Sequence, residues 1–394
     1  MKILTFSTLF PNSEQPGHGI FVETRLRHLV ASGQVESRVV APVPWFPSRD
    51  PRFGKYAKMA AAPRAEVRHG LQVAHPRYLT IPKVGMNLAP TLLAQGAKPA
   101  IARLLDEGFD FDLIDAHYFY PDGVAAVKLG RYFNKPVVIT ARGSDITLLL
   151  QFPAPRRMIV AAAREADAVI TVCNALRDEV IGLGVDPERI VSLRNGVDLE
   201  LFQPTARTAD NPFTLLTVGH LVPVKAQELI IGALPLLPGV QLVVAGDGPN
   251  RGMLENLARE LSVTARVRFL GAVPQAQLRQ HYGAADALVL ASSREGWANV
   301  LLESMACGTP VVASRVYGTP EVVAAPEAGV LMGERSPQGV ADAVNALRAA
   351  YPDRAATRRY AERFSWNDTT AGQLRLFRHV LEHRAHGLAQ PVIN

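Results

Sequence analysis

The sequence predicts an α/β protein that contains two parallel-sheet domains. Short apolar runs of strand length alternate with helix-like segments along the chain, which is typical of a parallel sheet with helices on both faces. One segment without periodicity divides the pattern, and 394 residues are enough for two domains of ordinary size. We therefore expect a first domain at residues 1–198 and a similar second domain at residues 213–364.

The first domain is predicted from a series of apolar runs and the helix-like segments between them. We expect the first helix to end at Gly33, because glycine is common just past a helix C-terminus. Predicted strands lie at residues 2–7, 37–42, 113–116, 136–140, 168–172 and 190–193. Predicted helices lie at residues 21–32, 88–107, 123–133, 156–166 and 174–182.

The linker is predicted at residues 199–212, where Pro204 stands among polar residues without periodicity. The terminal segment, residues 365–394, contains a predicted helix whose apolar face indicates docking rather than a free tail. Between them, the second domain repeats the pattern of the first. Its predicted strands lie at residues 213–218, 241–245, 267–270, 287–290, 311–313 and 329–331.

The composition excludes several classes of protein. Hydrophobic residues make up 48% and charged residues 20% of the chain, so it is expected to fold. Cys173 and Cys307 lie far apart in apolar contexts, which argues against a disulfide scaffold or a cysteine zinc site and favours a cytoplasmic protein. The net charge of +6 comes without a run of basic residues, so nucleic acid is not an expected partner.

Residues 45–69 combine basic and aromatic side chains. Six Lys or Arg residues stand there against Asp50 and Glu66, with Trp45, Phe46, Phe53 and Tyr56 among them. A solvated loop with a few packed aromatic residues is one interpretation. The other is peripheral contact with an anionic membrane, at the inner face of the cell membrane.

Glycines at 246, 248 and 252 follow a predicted strand and precede a predicted helix. The third glycine stands one position too late for the dinucleotide-binding pattern, so a nicotinamide cofactor is not expected.

Residues 292–310 carry a more specific signal. A predicted strand ends near Leu290, a polar loop carries Glu295, and a helix from about Asn299 carries Glu303 before Gly308. The start of such a helix points backbone N–H groups at the carboxyl edge of the sheet, where an anion can bind. By spacing alone, a loop glutamate and a helix-face glutamate on the surface explain the same pattern.

The motif E-G-x-x-N-V-x-L-E-x-M-A-x-G-x-P-V-V-A, at residues 295–313, resembles the signature of the family 4 retaining glycosyltransferases. Residues 218–225, 245–249 and 269–273 are similar to three further motifs of that family, and residues 115–117, 142–145 and 195–198 match it in order and spacing. The opening segments 9–12 and 19–22 resemble the teichuronic-acid-type, exopolysaccharide branch.

This resemblance implies a GT-B architecture, in which two Rossmann-like domains face each other across a cleft and the terminal helix crosses back to the first. The second domain would bind the nucleotide-sugar. Glu303 would accept hydrogen bonds from the ribose hydroxyls, and Lys225 would neutralise the diphosphate, whose negative charge grows as the glycosidic bond breaks. Glu295 would contact the transferred sugar, either as nucleophile or as stabiliser.

The remaining site residues are also implied by the resemblance. In the second domain, the phosphate contacts are His220 and the Val300 and Leu301 amides, the base contact is at Val273, and Gly248 and Asn299 are further donor-binding residues. In the first domain, Gly19 would lie in a loop that closes on the phosphates, His117 would hydrogen-bond the sugar as a catalytic residue, and Arg142 and Asp145 would lie near the acceptor.

The sequence departs from the family pattern at two positions. His220 stands where an arginine is usual, which weakens the phosphate site, and Arg142 stands where a histidine is usual, which could restore positive charge. No Asp-x-Asp metal motif stands out in the sequence, and the family that it resembles needs no divalent ion, so we expect no metal or other cofactor.

The expected activity is transfer of a hexose from a UDP- or GDP-sugar to a glycan or lipid-linked glycan in surface polysaccharide biosynthesis. Two alternatives remain open at this point: a sugar-nucleotide epimerase, and a nucleotide-sugar-binding subunit without catalytic activity. The Glu295 to Glu303 signature argues against the epimerase, and the presence of Glu295, Lys225 and Glu303 argues against the binding subunit.

Overall fold

The computed structural model describes residues 1–81, 85–205 and 212–385. The chain divides into two compact units, one made of Met1–Arg194 with Asn367–Asn394 and one made of Asn195–Trp366. Residues 206–211 of the predicted linker and residues 386–394 of the predicted terminal segment lie outside the described residues.

The first unit is built on a large sheet in which all six strands predicted for the first domain are confirmed. The strands of this unit are β1 (Lys2–Phe6), β2 (Glu36–Val40), β3 (Val43–Pro44), β4 (Ala65–Arg68), β5 (Leu71–Ala74), β6 (Arg77–Tyr78), β7 (Leu113–His117), β8 (Val137–Ala141), β9 (Ala168–Thr171) and β10 (Ile190–Ser192). Its helices are α1 (Ile20–Ala31), α2 (Lys55–Ala61), α3 (Ala89–Asp106), α4 (Val124–Phe133), α5 (Ser144–Thr147), α6 (Pro153–Glu165) and α7 (Asn174–Gly182).

The strand order of this sheet is β10-β9-β8-β7-β1-β2-β5-β4. The pairs are parallel except β4 with β5, which form an antiparallel hairpin at one edge. Its turn consists of His69 at φ 48° and Gly70 at φ 81°, the left-handed pair that a tight hairpin requires. Sequence analysis missed this hairpin and the short β3–β6 pair, because their strands are short and β4 is largely polar and open to solvent.

The second unit has a fully parallel sheet, and each of its six predicted strands is confirmed. The strands are β11 (Thr214–Val218), β12 (Gln241–Ala245), β13 (Val267–Gly271), β14 (Ala287–Leu290), β15 (Val311–Ala313) and β16 (Gly329–Leu331). The helices are α8 (Gln227–Ala233), α9 (Arg251–Glu260), α10 (Gln275–Ala284), α11 (Asn299–Ala306), α12 (Thr319–Val322), α13 (Pro337–Ala349) and α14 (Arg354–Glu362).

The order β13-β12-β11-β14-β15-β16 is the doubly wound Rossmann order, 3-2-1-4-5-6 when the strands are counted within the unit. Its central strands are buried on both faces, which is why they appear in the sequence as continuous apolar runs. Two parallel-sheet, Rossmann-like units are therefore confirmed.

The long helix α15 (Trp366–Ala385) follows α14 and contributes to the core of the first unit. Leu374, Leu376, Phe377 and Val380 of this helix are buried in one cluster with Ile3, Val22 and Leu26. Burial of four large apolar side chains stabilises the docked helix strongly, since each contributes about 1.5–3 kcal/mol. Among the helices of the described residues, none is both long and apolar enough to span a membrane.

Candidate functional site

The strand order of the second sheet reverses between β11 and β14, which run parallel as neighbours. Ligands of doubly wound sheets bind at the carboxyl ends of the strands where the order reverses, because the loops there diverge and leave a crevice. The loops that follow these strands contain Lys225 and Glu295, two of the predicted site residues.

Lys225 and Glu295 form an ion pair at this edge. The Lys225 Nζ donates to Glu295 Oε1 at 2.6 Å, and the two side chains are 25% and 11% exposed. The loops themselves are joined beside the pair, because the Val224 carbonyl accepts hydrogen bonds from the Ser293 amide at 2.8 Å and its hydroxyl at 3.3 Å. The two predicted residues, 70 positions apart in sequence, are thus brought together by the backbone as well as by their charges.

Gly248 and His220 lie in two loops that pack backbone against backbone. A Cβ on Gly248 would stand 2.5 Å from the Leu221 carbonyl oxygen, so only glycine fits. The Leu221 amide in turn donates to the Asp247 carbonyl at 3.0 Å. The exposed His220 is held by its own carbonyl, which accepts from the Gln227 side chain at 3.1 Å. This packing explains why position 248 requires glycine, whether or not a phosphate binds nearby.

The start of α11 follows Glu295 and contains Asn299, Val300 and Leu301. The Asn299 Oδ1 accepts from the Asn195 side chain at 3.2 Å, which fixes the first residue of the helix. The Leu301 amide already donates to the Ala298 carbonyl at 3.0 Å, so a phosphate would have to share that donor. Phosphate binding by the Val300 and Leu301 amides stays a prediction, as does base binding at Val273, which lies in the turn between β13 and α10.

Glu303 lies one turn further along α11 and is 8% exposed. Its Oε2 accepts from the Tyr282 hydroxyl at 2.7 Å, and its Oε1 accepts from the Gln275 side chain at 3.2 Å. Burial raises the pKa of the Glu303 carboxyl, and the two hydrogen bonds act in the opposite direction. Sequence analysis missed Tyr282 and Gln275. They stand seven positions apart, two turns of one helix, and this spacing is the signal that they lie on the same helix face.

His117 ends β7 in the first unit, beside β1, where the strand order of that sheet also reverses. An Arg142 Nη donates to the His117 Nδ1 at 2.7 Å, and the His117 Nε2 lies 3.4 Å from an Asp115 carboxylate oxygen. Because a guanidinium can only donate, Nδ1 must accept and Nε2 carries the proton. Burial lowers the pKa of His117 to about 4, so the ring is neutral.

This geometry brings His117 and Arg142 together, as neighbours in one polar chain. Both ring nitrogens of His117 have protein partners and the side chain is 1% exposed. The predicted hydrogen bond from His117 to a sugar therefore requires one of these contacts to open. Burial also lowers the pKa of Arg142 to about 9, and its guanidinium lies 5.3 Å from the centre of the Phe21 ring.

The chain of contacts continues from Asp115 into the terminal helix. Gln373 of α15 donates to an Asp115 oxygen at 2.9 Å and accepts from the Arg25 Nε at 2.9 Å. Arg25 is fully buried, and burial lowers its pKa to about 10. The carboxylate beside His117 is thus oriented by a residue more than two hundred positions away, and sequence analysis identified neither Gln373 nor Arg25.

Asp145 is also buried, and its described hydrogen bonds join it to the backbone of its own unit. Its carboxylate accepts from the amides of Gly143 at 2.8 Å, Phe119 at 2.9 Å and Arg142 at 3.1 Å. It therefore organises the turn after β8 and ties it to the segment after β7. The Asp145 carboxylate has no exposed surface in this arrangement with which to make the acceptor contact that the resemblance implies.

Gly19 precedes α1 with φ 68°, a left-handed conformation that favours glycine. A Cβ there would stand 2.2 Å from the Leu9 carbonyl oxygen in the same loop. The structure therefore explains Gly19 by the folding of its own loop, and closure of that loop on phosphates stays a prediction.

The fold and the motif-bearing edge of the second unit define a two-domain, nucleotide-sugar-dependent glycosyltransferase of the GT-B class. A family model described as Glycosyltransferase Family 4 matches residues 17–201, and one described as Glycosyl transferases group 1 matches residues 200–364. The chain belongs to this family of glycosyltransferases. The resemblance to the teichuronic-acid-type branch stays a prediction.

Relatives with a stated activity support the same assignment. The D-inositol 3-phosphate glycosyltransferase of Mycobacterium tuberculosis strain H37Rv is 35% identical over 324 residues, which are 75% of this chain and 67% of that protein. The protein of the same description from Mycobacterium bovis strain AF2122/97 matches equally.

Solved structures share the fold across nearly the whole chain. Sucrose-phosphate synthase from Thermosynechococcus elongatus has a TM-score of 0.79 at 21% identity and covers 97% of this chain and 99% of its own. The Anabaena protein HepE, solved in complex with UDP, has a TM-score of 0.70 at 22% identity and covers 95% of this chain and 99% of its own.

The buried bonds of Asp145 predict that Asp145→Ala lowers stability, because three backbone amides lose their acceptor inside the protein. We expect a loss of about 3 kcal/mol in the free energy of unfolding of the first unit, and a smaller loss for Asp145→Asn, which keeps one acceptor oxygen. Urea unfolding of both variants measures this. Unchanged stability with an increased KM for the acceptor would instead support the role implied by the resemblance.

Proposed function

We propose that the protein is a retaining hexosyltransferase that moves a sugar from a UDP- or GDP-sugar to a glycan or lipid-linked glycan acceptor. The observation that carries this proposal is the meeting of Lys225, Glu295 and the Glu303-bearing helix at the edge where the second sheet reverses its strand order. That edge supplies a cation, a polar loop and a helix start, the groups that a nucleoside diphosphate needs.

Each of these groups has a distinct task in the proposed reaction. Lys225 stabilises the diphosphate as it leaves, because its negative charge is greater in the transition state than in the bound substrate. Glu295, held beside Lys225, contacts the sugar, and Glu303 accepts hydrogen bonds from the ribose. The exposed His220 adds a weaker phosphate contact than an arginine would give.

The acceptor is proposed from two sources that disagree. The branch resemblance favours a lipid-linked glycan of surface polysaccharide biosynthesis, whereas the relatives are described as glycosyltransferases of D-inositol 3-phosphate. Arg142 offers the first unit a cation that suits a phosphate-bearing acceptor of either kind. Turnover with D-inositol 3-phosphate and with a lipid-linked sugar phosphate separates these acceptors.

The family assignment bears on the two alternatives raised by the sequence, an epimerase and a binding subunit. Membership of the glycosyltransferases favours transfer over epimerisation of a sugar nucleotide. A binding subunit without catalytic activity would retain nucleotide affinity but form no product with any acceptor.

The two glutamates are expected to respond differently to substitution. Glu303→Ala should weaken binding of UDP or GDP roughly 10-fold or more, because the ribose loses a charged acceptor. Glu295→Gln should lower turnover while nucleotide affinity is kept or increased, since it removes a negative charge that competes for Lys225 beside the diphosphate. Thermal shift and calorimetry with UDP and GDP measure binding, and product formation measures turnover.

Glu260→Ala is the matched control for both substitutions, because this exposed glutamate ends α9 away from the motif-bearing loops. It should leave affinity and turnover unchanged. Small and equal effects of the Glu303 and Glu295 substitutions would overturn the proposed site.

The proposed chemistry is metal-independent and retains the anomeric configuration. We expect an α-linked nucleotide-sugar to give an α-linked product at an unchanged rate in excess EDTA, because Lys225 supplies the positive charge that a metal would otherwise supply. NMR of the product reports the configuration. A β-linked product, or activity lost in EDTA and restored by Mg²⁺, contradicts the proposal.

We further propose that the first unit contacts an anionic membrane through its basic–aromatic surface, defined by Trp45, Arg49, Arg52, Phe53, Lys55, Tyr56, Lys58 and Arg64. Trp45 is 51% exposed, and its amide donates to the Tyr78 carbonyl, which places it beside the exposed Leu79. Phe46 packs on Phe53 and Tyr56 at 5.3 and 5.2 Å between ring centres and so presents both rings outward. Arg68 is not part of this surface, because it pairs with the buried Glu23.

The membrane proposal predicts that binding depends on the charges of this surface. Lys55→Glu with Lys58→Glu should lower binding to phosphatidylserine vesicles by at least roughly 30-fold at low salt, because each lost basic residue contributes about 1 kcal/mol and each introduced glutamate is repelled by the anionic surface. The matched control, Lys128→Glu with Arg375→Glu, makes the same change of net charge elsewhere in the first unit. Equal sedimentation of both variants with the vesicles, or no sedimentation of the unaltered protein, rules the surface out.

A further inference from the structure

Glu303 is held from two directions by the same helix. Tyr282 and Gln275 both belong to α10, and each donates to a different oxygen of the Glu303 carboxylate, at 2.7 and 3.2 Å. Gln275 and Tyr282 are seven positions apart, which is two helical turns, so both side chains lie on the face of α10 that packs on α11. The carboxylate is thereby fixed in position and in rotation.

Tyr282 is itself firmly anchored. Its side chain is fully buried, its ring meets Phe202 edge to face at 5.9 Å, and its carbonyl accepts from the Thr309 hydroxyl at 2.7 Å. Gln275 is the first residue of α10 and follows directly after Pro274 and Val273. One helix therefore begins at the segment proposed to meet the base and also orients the carboxylate proposed to meet the ribose.

The hydrogen-bonding capacity of the carboxylate leaves room for a ligand with two donors. An ionised carboxylate has about four lone-pair sites, two on each oxygen. Tyr282 occupies one site on Oε2 and Gln275 one site on Oε1, so one site remains on each oxygen. The adjacent 2′- and 3′-hydroxyls of a ribose supply two donors at a spacing that suits the two oxygens.

We propose that Tyr282 and Gln275 are positioning residues that orient the Glu303 carboxylate toward both ribose hydroxyls, and that this arrangement makes the enzyme select ribonucleotides over deoxyribonucleotides. The inference rests on the proposed function of Glu303. It adds the residues through which that function acts and the feature of the nucleotide that they recognise.

The electrostatics of the site agree with this role. Burial disfavours the ionised carboxylate, and the hydrogen bonds from Tyr282 and Gln275 favour it. A carboxylate that only joined two helices could be replaced by apolar packing at little cost, whereas a ribose site requires the charge.

The test compares each nucleotide with its own analogue that lacks the two hydroxyls. Calorimetry measures the Kd of UDP, GDP and their 2′,3′-dideoxy forms for the unaltered protein and for Tyr282→Phe and Gln275→Ala. We expect Tyr282→Phe to weaken UDP or GDP roughly 10-fold and the dideoxy form less than about 2-fold, because only the ribose uses the oriented carboxylate. The same variant should raise the KM of the nucleotide-sugar and leave kcat near its original value.

Tyr351→Phe is the matched control. It removes a hydroxyl that donates to the Asp286 carbonyl at 2.7 Å, at the amino end of β14 and so at the opposite edge of the sheet. This variant should leave all four Kd values unchanged. If Tyr282→Phe does not fold, Gln275→Ala, at a partly exposed position, makes the same comparison.

The outcomes separate the inference from the proposed function. If the unaltered protein prefers ribonucleotides but the variants weaken both forms equally, Tyr282 and Gln275 only support packing and the inference is wrong, while the role of Glu303 stands. If the unaltered protein binds ribo- and dideoxynucleotides equally, or binds neither, both the inference and the proposed ribose contact are wrong.

Discussion

Burial of carboxylates at the carboxyl edges of the two sheets is the constraint on which the organisation of both edges depends. Glu303, Asp115 and Asp145 are each removed from water, and an ionised carboxylate in that position is stable only if hydrogen-bond donors meet it. The donors come from different elements: side chains of α10 for Glu303, backbone amides for Asp145, and a residue of α15 for Asp115. Satisfying each charge therefore fixes the loops and helices that surround it.

The two units use this constraint differently. In the second unit, the charged Lys225–Glu295 pair is partly exposed, whereas Glu303 is buried and accepts hydrogen bonds from two neutral side chains. In the first unit, Arg25, Gln373, Asp115, His117 and Arg142 form one continuous chain of contacts. Burial keeps the His117 ring neutral, and its Nδ1 accepts from the Arg142 guanidinium.

The strands were predictable because parallel strands that are buried on both faces appear in sequence as apolar runs, as in β7, β8 and β14. The β4–β5 hairpin was not predicted because solvent faces much of it, and α2 and α5 are too short for helical periodicity. The resemblance to the family motifs made Lys225, Glu295 and Glu303 candidate site residues. Their partners depend on strand order and helix packing, which place Tyr282 beside Glu303 and Gln373 beside Asp115.

The signature glutamates illustrate why a motif specifies chemistry only together with its fold. Glu295 and Glu303 are eight residues apart, and on one continuous helix that spacing would put them on the same side, about 80° apart around the axis. The structure ends the loop between them and starts α11 at Asn299, so one carboxylate remains at the edge and the other enters the interior. Their environments then diverge: Glu295 contacts the charged Lys225, whereas Glu303 contacts neutral donors that hold it in place. Two identical side chains thereby lie in different surroundings, one beside a charge and one between neutral donors, which suits the separate tasks that we propose for them.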